Sequence, residues 1–60
     1  MKKGDSVRPR HDLYKRGIGI IVNVVPAERF PNGQIASARY WVVYPSGTRE
    51  VAIGLALEKM

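Results

Sequence analysis

The sequence predicts an all-β domain, a small and partly open barrel of four to five antiparallel strands, and three observations carry that expectation. No segment of a dozen residues places apolar side chains at helical spacing, and Gly or Pro interrupts every candidate window. Two runs, Gly17-Ile-Gly-Ile-Ile-Val-Asn-Val-Val25 and Ala38-Arg-Tyr-Trp-Val-Val-Tyr44, are dense in β-branched and aromatic residues. Turn-forming groups at Phe30-Pro-Asn-Gly33 and Tyr44-Pro-Ser-Gly47 divide the chain at short intervals. Closing such strands into a bent barrel protects edges that a flat sheet would expose.

The elements follow in order. Ser6 to Arg10 reads as a first strand, where Pro9 removes a backbone donor and favours an edge or irregular position. His11 to Arg16 is then a loop. Gly17 to Val25 is a long strand ended by Pro26, with Gly17 and Gly19 placed for sharp bending or close approach of another backbone. Ala27 to Ile35 reads as a protruding hairpin, because Pro31 and the Asn32-Gly33 pair reverse a chain readily. Ser37 to Tyr44 is the next strand. Pro45 supplies the set φ of a turn and Gly47 its positive φ, so the chain reverses into a fourth strand, Thr48 to Ile53. Gly54 to Ala56 is expected as a short helical turn leading Leu57 and Glu58 into a last short strand.

Side-chain alternation assigns the faces. Ile18, Ile20, Val22 and Val24 are expected on one side of their strand, with Ile21 and Val25 on the other. In the later strand Tyr40, Val42 and Tyr44 oppose Arg39, Trp41 and Val43. With Val51 and Ile53 facing inward, the expected core is Val7, Ile18, Ile20, Val22, Val42, Tyr44, Val51, Ile53, Leu55 and Leu57. Both central strands are then apolar on two faces, although a thin sheet hides only one.

Sixty residues allow one domain, and a chain of this length buries only about 60% of its unfolded surface. It contains no cysteine, so disulfides and thiolate metal sites are excluded as staples. Oligomerisation is the remaining staple and suits the two-faced strands. No apolar run approaches the roughly 18 residues of a membrane span, and no hydrophobic signal segment opens the chain.

The formal charge is +5 and the sequence pI about 10.1. Residues 1 to 16 carry a local net of +4, from Lys2, Lys3, Arg8, Arg10, Lys15 and Arg16 against Asp5 and Asp12. A basic segment of this kind neutralises phosphates and makes nucleic acid a candidate partner; it also serves as a solubilising surface.

The pattern Lys3-Gly-Asp-Ser-Val7, then Gly17-x-Gly19-x-x-Val22, then Val42-x-Tyr44-x-x-Gly47 with Leu57-Glu58 near the end, resembles SH3-like barrels of the KOW and Tudor kind. It is also similar to small SH3-like proteins of tailed bacteriophages. The resemblance spans nearly the whole chain through short, glycine-led motifs. It implies an SH3-like barrel of phage or bacterial origin, located in the cytoplasm or, if phage-encoded, in the host cytoplasm or the virion. KOW-like domains often bind nucleic acid or the transcription and translation machinery, which adds weight to that partner class. This chain lacks further basic residues on the far side of the glycine motif.

Chemistry of the catalytic kind has little to stand on. His11 is the only histidine and reads as a solvated loop residue, and Ser6, Ser37 and Ser46 lack a context for activation. The five carboxylates are scattered singly among basic neighbours, which signals neither a metal site nor an acid/base pair. The Gly17-Ile-Gly19 pair lacks the third glycine and following helix of a dinucleotide fingerprint. The expectation is a protein that is not an enzyme, with no catalytic residue, metal or cofactor and no membrane partner.

Two binding surfaces remain. The first is an apolar strand face of Ile21, Val25, Trp41 and Val43 with Arg39 at its margin, a self-association surface in which tryptophan and arginine are the usual anchors. The alternative within the monomer is that the hairpin folds back and Phe30 covers this face. The second is a phosphate patch of Arg8, Arg10, Lys15 and Arg16, with Tyr14 as a stacking group or as an anchor of its loop. A Tudor-type aromatic cage would need Tyr14, Tyr40, Trp41 and Tyr44 to converge. Alternation places Trp41 opposite Tyr40 and argues against it.

Overall fold

A computed structural model describes all residues 1–60. Seven strands form: β1 (Ser6–Pro9), β2 (Gly19–Val25), β3 (Glu28–Arg29), β4 (Ile35–Ala36), β5 (Arg39–Val43), β6 (Arg49–Ile53) and β7 (Leu57–Lys59), with a 3-10 turn over Gly54–Ala56 before the last. β6, β5, β2, β1 and β7 make one antiparallel sheet in that order, and β3 and β4 make a separate hairpin. The all-β expectation holds, with each strand present close to its expected place. β6 and β7 are not paired with each other, so the sheet is not closed. No helix is long and apolar enough to cross a membrane.

The turns form where their residues require. The Gly47 amide donates to the Tyr44 carbonyl at 2.8 Å, and Gly47 adopts φ +87°. That conformation is open to glycine at little cost. In the hairpin the Gly33 amide donates to the Phe30 carbonyl at 3.0 Å.

Five apolar side chains are buried: Val7, Ile21, Val42, Tyr44 and Leu57, with Val24, Tyr40 and Ala52 packed against them. Burial pushes the Tyr44 hydroxyl above its ordinary pKa, with the Glu50 carboxylate adding to the shift. Gly19 is buried under this cluster. A Cβ there would strike the Val42 side chain and stand 2.9 Å from both the Tyr44 ring and the Val43 carbonyl oxygen. The close backbone approach expected of Gly19 is therefore real, and the absent side chain makes room for Val42 and Tyr44.

The face assignment differs from the expected one. Ile21, expected on the outward face, pairs with Val42 and is fully buried, whereas Ile20 pairs with Val43 and is exposed. The register then slips: Ile21 opposes Val42, but the next aligned pair is Asn23 with Trp41, so Val22 is an extra residue, a β-bulge. The slip reverses the alternation, and Val24 joins the inner face while Val25 points outward.

On β6 the register pairs Val51 with Trp41 and Ile53 with Arg39, which carries both aliphatics outward and leaves Ala52 inside. Ile20, Val22, Val51 and Ile53 are thus surface residues rather than core. Ile18 precedes β2 and Leu55 lies in the 3-10 turn, and both are exposed as well.

Candidate interaction surface

The outward face of β6, β5 and β2 follows from the register as three cross-strand rows. Ile53, Arg39 and Val25 form the first, Val51, Trp41 and Asn23 the second, and Arg49, Val43 and Ile20 the third. Six of these nine positions are apolar. Ile20, Trp41, Val51 and Ile53, with Val22 in the adjoining bulge, are each 36–48% exposed. Close lateral packing of the rows hides part of each side chain and leaves a continuous apolar surface, the kind that marks a contact with another molecule.

Beside the tryptophan lies an open depression of about 490 Å³ lined by Lys3, Val22, Asn23, Trp41 and Arg49. Lys3 reaches this point because the next residue, Gly4, donates its amide to the Ile21 carbonyl at 2.8 Å and ties the N-terminal turn to β2. The charged side chains at the depression, Lys3 and Arg49, are both cations, and Arg39 adds a third on the same face.

Of the expected contact residues, Val25, Arg39, Trp41 and Val43 therefore do share one face. Ile21 does not belong to it. Ile20, Val22, Val51 and Ile53 do, and they were missed because their place depends on a bulge and a strand register that periodicity alone does not reveal. Trp41 and Tyr40 point to opposite sides, so an aromatic cage does not assemble.

The basic segment is tied in part to carboxylates of its own chain. The Arg8 Nε donates to Glu58 Oε2 on β7 at 3.2 Å. The Arg16 Nε bonds to Glu50 on β6, and its guanidinium lies 4.9 Å from the centre of the Tyr14 ring. Two of the four expected phosphate ligands are thus paired with carboxylates of their own chain, and the stacking candidate carries a cation over one face.

The loop is built around Asp12, whose carboxylate accepts from the Arg16 amide at 2.6 Å and the Gly17 amide at 2.9 Å. These bonds hold the Asp12 carboxyl below its ordinary pKa, the Gly17 amide having the larger effect. Arg10 and Lys15 are exposed and make no ion pair. His11 is exposed in the same loop.

No protein-family model, no curated protein and no solved structure matches this chain.

Proposed function

We propose that this chain is a non-enzymatic binding and assembly module of the SH3-like kind, which associates with further copies of itself through the outward face of β6, β5 and β2. One observation carries the reading: the apolar surface of that three-stranded face, centred on Trp41, has no covering element in the chain. The β3–β4 hairpin pairs with no strand of the sheet, and none of its residues lines the depression beside Trp41.

Magnitude supports it. At about 25 cal/mol per Å² of apolar area, covering a tryptophan and four aliphatics stabilises an assembly by several kcal/mol. The intrinsic stability of a domain this size is of similar order, roughly 3–9 kcal/mol. Association would therefore stabilise the fold as well as create the function.

Light scattering after size exclusion tests this directly. The expected mass is above that of one chain, and Trp41→Ala is expected to lower both the mass and the Tm. A wild-type mass of one chain, with a Trp41→Ala variant of unchanged Tm, removes the reading.

A second reading, a KOW-like nucleic-acid module, draws support from the exposed and unpaired Arg10 and Lys15. It requires that DNA or RNA be retarded at low salt and that binding fall steeply as salt rises. Replacing both residues by alanine should reduce the salt slope by about two.

A further inference from the structure

We propose that the occupant of the Trp41 depression is the β3–β4 hairpin of a second copy, docked head to tail. This inference rests on the self-association reading and specifies its geometry.

Charge is the first argument. Asp5 accepts from the Lys2 amide at 2.9 Å and lies 3.7 Å from Lys59 Nζ. Asp12 is held by two loop amides, Glu50 pairs with Arg16, and Glu58 pairs with Arg8. Glu28, on the hairpin, is the one Asp or Glu side chain with no partner in its own chain, and alternation turns its neighbour Arg29 to the hairpin's other face. The depression has the opposite character, with Lys3 and Arg49 beside Trp41. Two such faces laid on each other would bring together two surfaces whose charged side chains, Lys3, Arg39 and Arg49, are all cations, with no carboxylate on either to offset them. Like charges juxtaposed across an interface are costly. A hairpin bearing Glu28 removes that conflict.

Spacing is the second. Glu28 pairs with Ala36 and Arg29 with Ile35, and the Phe30 amide donates to the Gln34 carbonyl at 2.8 Å, which extends the ladder by one pair. Glu28 and Phe30 therefore share one face of the hairpin, two residues or about 7 Å apart along the strand. On the receiving face the Arg49 row and the Val51–Trp41 row are also two residues apart along β6. Phe30 can thus lie on Trp41 and Val51 while Glu28 meets Arg49 and Lys3.

Shape is the third. The chain measures 39 × 22 × 19 Å, and the hairpin joins no other strand of the sheet. Phe30, on the same face as Glu28, is 43% exposed. An arm of one copy seated in the depression of another is a heterologous contact, which builds rings where the rotation closes and filaments where it does not.

The test uses two variants at exposed positions: an arm variant, Glu28→Gln with Phe30→Ser, and a groove variant, Lys3→Glu with Arg49→Glu. Masses are read by light scattering, with circular dichroism to verify the fold of each variant. Wild type is expected to assemble, each variant alone to fall to the mass of one chain, and an equimolar mixture to give a 1:1 pair joined by the one intact arm and the one intact groove. An arm variant that keeps the wild-type mass overturns the hairpin contact while leaving self-association standing. Variants that are monomeric alone and remain so when mixed also overturn it, because a head-to-tail contact must be restored in the mixture. A wild type that is a single chain at every concentration removes both readings.

Discussion

The two faces of β6, β5 and β2 are built from the same kinds of residue and have opposite fates. The inner rows, Ala52–Tyr40–Val24 and Glu50–Val42–Ile21, close over a core of five buried apolar side chains. The outer rows contain six apolar positions of comparable bulk and meet no covering element. Hydrophobicity does not separate them. What separates them is register: the pairing of Ile21 with Val42, the missing side chain of Gly19 beneath Val42 and Tyr44, and the extra residue at Val22. In so small a domain one face forms the core, and the other is left exposed.

The adjacent residues Ile20 and Ile21 offer the sharpest way to break this comparison, since they have the same side chain on opposite faces. Ile21→Ala empties a fully buried site and is expected to cost about 2–5 kcal/mol, enough to unfold much of the population. Ile20→Ala is expected to cost about 1 kcal/mol or less when measured in dilute solution, and to weaken association at high concentration. Urea titrations at two protein concentrations check both. Equal losses for the two variants in dilute solution would mean that the faces are not distinguished as described.

A smaller effect concerns the edges of the fold rather than its faces. Asp5 is held below the ordinary carboxylate pKa first by the Lys2 amide and then by Lys59, as Asp12 is by the amides of its loop. A depressed folded pKa contributes stability that is complete above the unfolded value, near 3.8, and is lost as pH falls through the folded value. The urea midpoint should therefore be insensitive to these groups from about pH 5 to 8 and decline below about pH 4. Asp12→Asn should flatten that decline. An unaltered acid limb in the variant would show that the loop bonds are not maintained in solution.

Much of the fold was legible in the chain. Val, Ile and aromatic density marked β2 and β5, Pro45 and Gly47 marked the reversal into β6, and Asn32-Gly33 marked the hairpin tip. Val7, Val42, Tyr44 and Leu57 were correctly placed in the core, because β5 keeps strict alternation and Val7 and Leu57 lie in short strands with few other apolar residues. The candidate surface was legible only in part. Trp41, Val43 and Arg39 followed from alternation, whereas Ile21 was assigned to the wrong face, Val25 lies outward only because the bulge at Val22 reverses the alternation, and the aliphatics of β6 were turned inward. The pairing within the basic segment was not legible: Glu50 and Glu58, distant in sequence, pair with Arg16 and Arg8.

The sequence by itself determined where strands and turns form, since β-branching, proline φ and glycine freedom act within a few residues. It also determined that the strands carry more apolar surface than one small sheet can hide. Only the tertiary structure decided which half of that surface is hidden. The side-chain period of a strand is two, so a one-residue bulge or shift of pairing exchanges the faces, and the choice depends on contacts between residues far apart in the chain.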